Sequence, residues 1–494
     1  MANKLFVAFD LGAESGRAVL GTLTRDKLHL AVKHRFANTP VRMNGTLYWN
    51  TPSIWSELKT GLRKSAAVGE LKKPLKLSGI AVDTWGVDFG LFGKNGELLG
   101  LPVHYRDNRT DGMVDLAFRK AGKANIFSAT GIQFMQLNTL YQLLAMVKGK
   151  SGLLESAERL LFMPDLLNYL FSGEMRCEQS IASTSQMYDP AHSRWALPLL
   201  KKLGIPAHLL GNVTPSGQVI GSLRQDVIDE CGVDVPVIST AGHDTASAVV
   251  AAPGEGENWC YISSGTWSLM GLELDKPIIN EATLAANYTN EVGANGKIRF
   301  LKNIMGLWLV QECRRQWERE GETLDYATLT KMAADARPFA AMVDPDFAEF
   351  GKPGEMPRKI ATFCRQSKQK APATTGEYVR TCLESLALTY RRTLENLERL
   401  SGRKIETIHI VGGGTQNELL NQMTANACGR RVVTGPVEAT AAGNILVQGM
   451  ATGDVKSLSH ARQIVRNSFA MKTYEPQNIA LWDKAYQRLL NVVK

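Results

Sequence analysis

A single carboxylate stands between an apolar run and a stretch of small residues in VPVISTAGHDTASAVV, residues 235–250. The apolar run predicts a strand that ends near Thr240, and the small residues after Asp244 predict the start of a helix. Asp is favoured at helix N-caps, because its oxygen accepts a hydrogen bond from an otherwise unpaired backbone N–H. A carboxylate flanked by small residues can instead act as a general base that faces a cleft. The local pattern leaves both interpretations of Asp244 open.

Two turns of small polar residues are candidates for phosphate binding. The first, in FDLGAESGRAVL, follows Asp10 and contains Gly12, Ala13, Glu14, Ser15, Gly16 and Arg17. Small residues let backbone N–H groups approach an anion, and Asp10 is of the type that binds Mg²⁺ directly or through water. The second turn, SSGTWS, adds the hydroxyl of Thr266. Each turn also fits a plain hairpin, and the two together are more specific than either alone.

A third glycine-rich turn, in HIVGGGTQNELL, follows a predicted strand and precedes a predicted helix. Glycines here allow a nucleotide to approach the helix N-terminus, and simple packing of a strand on a helix is the alternative. A dinucleotide fingerprint is disfavoured, because Asn417 occupies the position of its last glycine. Downstream, the small residues Ala439, Ala441, Ala442 and Gly443 either make room for a base or pack two helices closely, and the sequence favours close packing.

A polar and aromatic group of residues suits a polyhydroxylated ligand. DTWGVDFG places Trp85 and Gly86 between two acids, and HYRDNRT contains Arg106, Asp107 and Arg109. Aromatic faces can stack on sugars, while carboxylates and guanidinium groups bind hydroxyls. The alternative is a buried aromatic side chain beside a surface cluster of ion pairs.

The elements that must position these residues follow an α/β pattern. The sequence before residue 100 predicts three short strands, then a helix, then a further strand. The helix has apolar residues at Ile54, Trp55, Leu58 and Leu62. Later segments repeat a hairpin and a strand–turn–helix, which indicates a weak internal duplication. The stretch KNIMGLWLVQE is amphipathic, which predicts Asn303 and Gln311 two helical turns apart on one face. Two α/β domains facing across a cleft, with a boundary near Ser239 to Asp244, would explain the pattern.

Composition narrows the class of protein. The 494 residues are 44% hydrophobic and 21% charged, with a net charge of +9, which suits anionic ligands. No apolar run reaches the roughly 18 residues of a membrane span, and no basic tract has interleaved aromatics, so neither membrane nor nucleic acid is expected. The seven cysteines form no CxxC pair, which favours a reduced cytoplasm. Whether Cys364 and Cys382 ever pair is left open.

Long blocks throughout the chain resemble the FGGY carbohydrate kinases of the actin–hexokinase superfamily. The blocks are FDLGAESGR, DTWGVDF, GLPVHYRDNRT, NTLYQL, MPDLLNYLFSG, GHDTASAV, YISSGTWSLMG, LKNIMGLWL, HIVGGGTQN and GPVEAT. The resemblance implies an α/β fold of two ribonuclease-H-like domains facing across a catalytic cleft. Residues 1–243 would bind sugar and carry the first phosphate loop. Residues 244–494 would bind nucleotide, with the last helices packing back on the first domain.

The implied reaction is transfer of the ATP γ-phosphate to L-rhamnulose, giving L-rhamnulose 1-phosphate, by a monomer or homodimer that uses Mg²⁺. Asp244 matches the general base. The positions that match sugar contacts are Gly86, His243, Asp244, Thr245 and Asn303. Those that match ATP contacts are Ala13, Glu14, Ser15, Gly16, Arg17, Thr266, Gln311 and Gly413, with Asn417 as an adenosine neighbour. A kinase for another ketose or polyol, or a nucleotide-dependent scaffold of the same fold, remains an alternative.

Overall fold

The computed structural model describes residues 3–493, in which strands and helices alternate along the chain. The strands are β1 (Lys4–Leu11), β2 (Ser15–Leu23), β3 (Leu28–Ala37), β4 (Val41–Met43), β5 (Thr46–Tyr48), β6 (Gly79–Thr84), β7 (Phe89–Phe92), β8 (Arg159–Phe162), β9 (Cys177–Glu178), β10 (Tyr188–Asp189), β11 (Arg194–Trp195), β12 (Val213–Thr214), β13 (Gln218–Ser222), β14 (Pro236–Ser239), β15 (Trp259–Ser264), β16 (Trp267–Leu274), β17 (Thr289–Val292), β18 (Ile298–Met305), β19 (Thr407–Val411), β20 (Arg431–Thr434) and β21 (Thr473–Tyr474).

The α-helices of the described residues range from one turn to more than seven turns. They are α1 (Thr51–Ser65), α2 (Met113–Ala121), α3 (Lys123–Thr130), α4 (Thr139–Lys148), α5 (Gly152–Ser156), α6 (Met163–Ser172), α7 (Gln179–Ser183), α8 (Leu197–Leu203), α9 (Gln225–Cys231), α10 (Asp244–Val250), α11 (Glu281–Ala286), α12 (Trp308–Arg319), α13 (Tyr326–Asp335), α14 (Met356–Gln366), α15 (Thr375–Ser401), α16 (Glu418–Cys428), α17 (Ala439–Ala451), α18 (Leu458–Ser468) and α19 (Ile479–Val492).

The chain divides into two compact units, each assembled from separate segments. The first unit takes the chain up to Ala251 together with Glu273–Phe300 and Ala439–Phe469. The second takes Ala252–Leu272, Leu301–Glu438 and the chain from Ala470 onward. Helices α17 and α18 therefore belong to the first unit although they come late in the chain. The division into residues 1–243 and 244–494 stays a prediction about domains.

The first unit is organised on a six-stranded sheet in the order β13-β14-β6-β1-β2-β3. Strands β1, β2 and β3 form an antiparallel meander, whereas β6 runs parallel to β1 and β14 runs parallel to β6. The three predicted strands, the helix and the later strand are all present, but the order also contains two short strands, β4 and β5, between β3 and α1. Helix α1 begins where Asn50 Oδ1 accepts from the N–H of Ser53, and it buries Ile54, Leu58 and Leu62 in the core.

Small residues allow α17 to pack directly on α10 within the first unit. A Cβ atom on Gly443 would lie 1.7 Å from the backbone carbonyl oxygen of Ser247, so only glycine fits. Ala439, Ala441 and Ala442 are all buried on the same helix. The small residues of this segment thus serve close helix packing, which is the interpretation that the sequence favours.

The second unit repeats part of this topology. Its strands β16, β15, β19, β20 and β21 are hydrogen-bonded neighbours in that order. Strands β15 and β16 form an antiparallel hairpin, β19 runs parallel to β15, and β20 runs parallel to β19. A hairpin followed by parallel strands also occurs in the first unit, as the predicted duplication requires.

One predicted element is wrong. Asn303 lies in strand β18, and helix α12 begins only at Trp308, so Asn303 and Gln311 do not share a helix face. Gly306 separates the two elements, and a Cβ atom there would lie 2.7 Å from the backbone of Trp267. The backbone turns at this close approach, which a helical repeat of apolar residues does not reveal.

Candidate active site

Three charged residues lie side by side on the sheet of the first unit. Asp10, near the end of β1, is paired in register with Arg17 of β2 and with Asp83 of β6. Residues that pair across neighbouring strands direct their side chains to the same face of the sheet. Arg17 Nε donates a hydrogen bond to Asp10 Oδ2 at 2.9 Å. One guanidinium group and two carboxyl groups therefore form a row at the end of these strands.

The carboxyl group of Asp83 is buried and strongly perturbed. Asn444 Nδ2 donates to its Oδ2 at 2.6 Å, while within residues 3–493 its buried Oδ1 has no hydrogen-bond partner. Burial, and then the charges of Asp10 and Asp244, raise the pKa of Asp83 well above its usual range, against the opposing effects of Asn444 and Arg17. A cation bound here would relieve the repulsion between these carboxylates.

The first predicted phosphate loop is a tight turn with an internal hydrogen-bond pattern. Ala13 and Glu14 lie between β1 and β2, while Ser15, Gly16 and Arg17 open β2. The N–H of Gly12 donates to Ser15 O at 2.9 Å, and Asn38 Nδ2 donates to Gly12 O at 2.9 Å. A Cβ atom on Gly16 would lie 2.3 Å from the ring of Phe36, so any larger residue there would displace that side chain.

Asp244 is the first residue of helix α10, and the N-cap position belongs to His243. Within residues 241–250, Asp244 is the one residue that is not buried. Its Oδ1 accepts hydrogen bonds from the backbone N–H and the hydroxyl of Thr245. Among the described residues no donor contacts Oδ2. The N-cap interpretation of Asp244 is therefore wrong, because Asp244 is the first helical residue and its side chain satisfies the N–H of Thr245 from within the first turn. The general-base interpretation is compatible with the geometry, because Asp244 is partly exposed and its Oδ2 has no donor among the described residues.

A buried charged group lies behind Asp244. His243 Nε2 is 3.4 Å from Asp244 Oδ1, and Arg299 Nη2 lies 2.9 Å from His243 Nδ1. The same Nη2 donates to Glu291 Oε2 at 2.9 Å. Although burial opposes ionisation, Arg299 and His243 lower the pKa of Glu291 to about 2, so Glu291 is charged at neutral pH.

Glu178 fixes the backbone just ahead of Asp244. Its carboxylate caps α7 by accepting from the N–H groups of Ser180 and Ile181, and its Oε2 also accepts from the N–H of Gly242 at 3.0 Å. The hydroxyl of Ser180 donates to Glu178 at 2.6 Å and accepts from the N–H of His243 at 3.2 Å. Burial raises the pKa of Glu178 despite these donors. One buried side chain therefore joins helix α7 to the segment that presents Asp244.

Gly86 lies just beyond β6, in a stretch whose other residues are buried. It is the one partly exposed residue of Asp83–Gly90, and a Cβ atom there would lie 3.2 Å from Thr184 Oγ1. Trp85, in contrast, is 5% exposed and packs against Trp49 with ring centroids 3.9 Å apart. The alternative of a buried aromatic side chain is thus correct for Trp85. Gly86 leaves its backbone partly exposed, and a side chain there would crowd Thr184.

Asp88 holds the aromatic cluster around Trp85 together. Its Oδ2 accepts from Trp49 Nε1 at 2.6 Å and from Trp85 Nε1 at 3.0 Å, and its Oδ1 accepts from Gln142 at 2.9 Å. Burial nevertheless raises the pKa of Asp88 to about 6. Asp107 accepts from backbone N–H groups of Leu47 and Arg109. These acids organise the first unit from inside and do not form a surface cluster of ion pairs.

In the second unit, Thr266 contacts the start of α12, and Gln311 lies in its first turn. Thr266 is in the turn between β15 and β16, and its carbonyl oxygen accepts from the N–H groups of Gly306 and Trp308 at 3.1 and 3.2 Å. Gln311 is on α12, and within the described chain its buried Oε1 has no hydrogen-bond partner. An unsatisfied amide oxygen is available to a bound ligand.

The three glycines of the third turn, residues 412–414, have different surroundings. Gly412 has a φ of +86°, a backbone conformation that favours glycine, whereas a Cβ atom on Gly414 would lie 2.0 Å from the side-chain Oγ of Ser264, which would have to move. Gly413 is exposed, with no heavy atom within 4 Å of its would-be Cβ. Asn417 caps α16, since its Oδ1 accepts from the N–H of Leu420 at 2.9 Å. Open space next to a helix N-terminus is suited to an anionic ligand.

The cysteines, the helix lengths and the clusters of metal-binding side-chain types are further features of the described residues. All seven cysteines are free and buried, including Cys364 and Cys382. Within residues 3–493, no helix could cross a membrane, and no group of three or more His, Cys, Asp or Glu side chains is arranged to hold a metal.

Comparison with known families covers almost the whole chain. Residues 5–251 match the N-terminal domain of the FGGY family of carbohydrate kinases, and residues 260–452 match its C-terminal domain. The chain belongs to this family. It is 43% identical to the rhamnulokinase of Bacteroides thetaiotaomicron, over 99% of each chain. It is 38% identical to that of Bacillus subtilis, over 96% of each chain. The chain is thus a sugar kinase with full-length relatives.

Solved structures share the fold at low sequence identity. Ligand-bound xylulose kinase from Lactobacillus acidophilus superposes with a TM-score of 0.81 at 17% identity, covering 99% of this chain and 97% of that one. Glycerol kinase from Plasmodium falciparum with ADP gives 0.77 at 13% identity, covering 99% and 98%. The α/β fold of two ribonuclease-H-like domains is confirmed.

Sequence reasoning missed the residues that support Asp244 in this kinase. Glu178, Glu291 and Arg299 lie 66, 47 and 55 positions away from it in the chain. None stands in a pattern that predicts chemistry. Asp83 was visible as an acid beside Trp85, but its pairing with Asp10 depends on the register of two strands.

Proposed function

We propose that this kinase transfers the γ-phosphate of ATP to a hydroxyl of L-rhamnulose, giving L-rhamnulose 1-phosphate in the breakdown of rhamnose. The observation that carries the proposal is the alignment with a protein named rhamnulokinase over 99% of both chains at 43% identity. Alignment over the full length includes the segments of Gly86, His243, Thr245 and Asn303, which are the proposed sugar contacts. The solved xylulose and glycerol kinases support only the fold.

Asp244 is the proposed general base. A sugar hydroxyl is a poor nucleophile until a base accepts its proton. Asp244 is partly exposed on an otherwise buried segment, and its Oδ2 has no donor among the described residues. Small neighbours, Gly242 and Ala246, leave room for a substrate at this carboxylate. The base would act while the phosphate groups are held by backbone donors and cations, which supply most of the catalysis in phosphoryl transfer.

The acidic pair of Asp10 and Asp83 fits a Mg²⁺ ion. Mg²⁺ is usually bound by one or two carboxylates together with water and phosphate oxygens, so a larger group of protein ligands is not required. The raised pKa of Asp83 and its unpartnered Oδ1 are the features of a carboxyl group placed to meet a cation. When bound, the ion would neutralise charge on the transferred phosphate. Asp10 would hold it, with Asp83 beside it.

The proposed ATP contacts lie in both units. Ala13, Glu14, Ser15, Gly16 and Arg17 would contribute from the first loop, and Arg17 supplies a cation that Asp10 already orients. In the second unit the hydroxyl of Thr266, the amide of Gln311 and the open backbone of Gly413 would contact the nucleotide. Asn417 would lie near the adenosine, although its side chain also caps α16.

The setting that we infer is the cytoplasm, for a monomer or a homodimer. Seven free and buried cysteines are compatible with a reducing compartment. The partners are the sugar and ATP, without nucleic acid or membrane.

An assay of ADP release over a panel of substrates tests the proposed function. L-rhamnulose should give the highest kcat/KM among L-rhamnulose, L-fuculose, L-ribulose, D-xylulose and glycerol. A much higher kcat/KM for another ketose or polyol would overturn the substrate and leave the kinase class intact. ATP consumption that no sugar stimulates would contradict the proposed reaction.

A further inference from the structure

Arg299 is a fully buried guanidinium group with three partners, namely the side chains of Glu291 and His243 and the carbonyl oxygen of Val292, which accepts from Nη2 at 3.3 Å and from Nε at 3.4 Å. It lies on β18, contacts Glu291 of β17 through Nη2 at 2.9 Å, and contacts His243 Nδ1 through the same nitrogen at 2.9 Å. Its Nη1 is buried without a hydrogen-bond partner among the described residues. A buried ion pair of this kind is often no more stabilising than apolar side chains of the same volume. Arg299 contacts His243, which precedes Asp244 in the chain, so it can affect the side chain next to the proposed base.

The contact with Arg299 decides which nitrogen of His243 carries the hydrogen atom. A guanidinium group has donors and no acceptor, so a contact of 2.9 Å requires a lone pair on His243 Nδ1. The hydrogen of a neutral imidazole then resides on Nε2, which faces Asp244 Oδ1 at 3.4 Å. Glu291 Oε2 is 3.3 Å from Nδ1 and would favour the opposite tautomer. The shorter contact comes from Arg299, and Glu291 is occupied by the guanidinium group.

We propose that Arg299, held by Glu291, is a positioning residue that keeps His243 in the Nε2–H tautomer with this N–H directed at Asp244. The inference rests on the proposed role of Asp244 as general base. The two donors of Thr245 hydrogen-bond Asp244 Oδ1, and His243 Nε2 lies 3.4 Å from the same oxygen. Oδ2 is then left with its lone pairs for the hydroxyl proton of the sugar. The other tautomer would place a nitrogen lone pair against the carboxylate and loosen its orientation.

Nitrogen NMR of the wild-type kinase, labelled with ¹⁵N in its histidine rings, tests the tautomer directly. The chain has eight histidines, so the signal of His243 is assigned as the one lost in His243→Gln. The expected result is a protonated Nε2 and an unprotonated Nδ1 at neutral pH. A protonated Nδ1 would overturn the inference. This measurement needs no variant of Arg299 and does not depend on whether Asp244 is the base.

Turnover of Arg299→Lys tests the positioning role. An ammonium group is a point charge and does not reproduce the planar arrangement in which Nη2 contacts His243 and Glu291 while Nε contacts the carbonyl oxygen of Val292. We expect kcat to fall by about 10- to 100-fold, the size of the loss known for partners that orient metal-bound histidines. KM for ATP should stay the same, and the His243 signal should show loss of the Nε2–H tautomer. Unchanged kcat with an unchanged tautomer would overturn the proposal.

Arg462→Lys is the matched control, because Arg462 forms a part-buried ion pair with Glu273 in the same unit. We expect Arg462→Lys to lower the stability, as Arg299→Lys does, but to leave kcat unchanged. A fall in kcat as large as that of Arg299→Lys would contradict a specific role for Arg299. Failure of the proposed function can be distinguished from failure of this inference. If Asp244→Asn keeps its kcat, Asp244 is not the general base, whereas NMR still determines the tautomer of His243. If Arg299→Lys does not fold, a protonated Nδ1 in the wild-type spectrum still overturns the proposal.

Discussion

At the residue scale, Asp244 is the proposed general base, and its two carboxylate oxygens have different surroundings. Oδ1 accepts from the first turn of α10, and Oδ2 is open. Asp244→Asn retains an oxygen that can accept from Thr245 and removes the proton acceptor. Loss of a general base typically lowers the rate by about 10²- to 10⁴-fold. We therefore expect kcat to fall by that factor, with a nearly unchanged Tm and with ATP still bound in a calorimetric titration.

Two outcomes would contradict this assignment of Asp244. Near-normal kcat in Asp244→Asn would show that another group accepts the proton. Loss of activity that follows loss of folded protein would show that hydrogen bonding at the helix start is the main role of the side chain. Thr245→Val is a useful comparison, because it removes the hydroxyl that contacts Oδ1 and leaves the carboxylate in place.

Asp83 should make the pH dependence of stability unusual for a carboxyl group. Burial, with the charges of Asp10 and Asp244, raises its pKa in the folded protein, so the folded state binds this proton more tightly than the unfolded chain does. Its contribution to stability therefore decreases as pH rises from the ordinary carboxyl range through the raised pKa. Asp83→Asn removes that penalty. We expect a higher Tm than wild type at neutral pH, a difference that shrinks toward pH 4, and lower kinase activity.

Thermal melts of both proteins between pH 4 and pH 8 would measure this difference. Asp10→Asn is the control, because it takes a hydrogen-bonded partner from Arg17 and should not raise the Tm at neutral pH. A constant difference in Tm between Asp83→Asn and wild type across this range would show that the Asp83 carboxyl does not titrate differently on folding.

At the scale of elements, two glycines with different surroundings should separate packing from ligand binding. A Cβ atom on Gly443 of α17 would meet the Ser247 carbonyl oxygen of α10, whereas one on Gly413 would meet nothing within 4 Å. Gly443→Ala should lower the free energy of unfolding by about 1–3 kcal/mol or more, as overpacking does. Gly413→Ala should leave it nearly unchanged and raise KM for ATP. Urea melts and steady-state kinetics would check both results.

Equal losses of stability in the two variants would contradict the packing argument for Gly443. An unchanged KM in Gly413→Ala would count against a nucleotide contact at that backbone. The comparison is informative because both substitutions add the same methyl group, so chain entropy affects them similarly.

At the scale of the whole molecule, bound nucleotide should stabilise the folded chain. A ligand at 100 times its Kd raises the free energy of unfolding by about 2.7 kcal/mol. We expect ATP with Mg²⁺ to raise the apparent Tm measurably, and EDTA to remove most of the rise, because Asp10 and Asp83 would then face the phosphates without a cation. No change in Tm at millimolar ATP with Mg²⁺ would contradict nucleotide binding by this chain. ADP with Mg²⁺ should give a similar rise, which separates binding from turnover.

The local sequence pattern by itself predicted several elements of the fold and the position of Asp244. Turn residues between apolar runs predicted the hairpin of β1 and β2 and the later strand–glycine–helix segment of β19 and α16, because turn chemistry and hydrophobic periodicity act over a few residues. Asp244 was recognisable as a carboxylate at a strand-to-helix junction for the same reason. The family resemblance of the quoted blocks identified a kinase, since those blocks extend over almost the full length.

Tertiary structure alone decided which residues meet. Strand register places Asp83 beside Asp10, and Asn444 reaches Asp83 from 361 positions away in the chain. Glu178 holds the backbone of Gly242, and Arg299 orients His243, without any local pattern that predicts these contacts. Asn303 and Gln311 were wrongly placed on one helix, because the turn at Gly306 arises from a close approach to a distant strand. Periodicity reports neighbours along the chain, whereas register, burial and ion pairing depend on residues that only folding brings together.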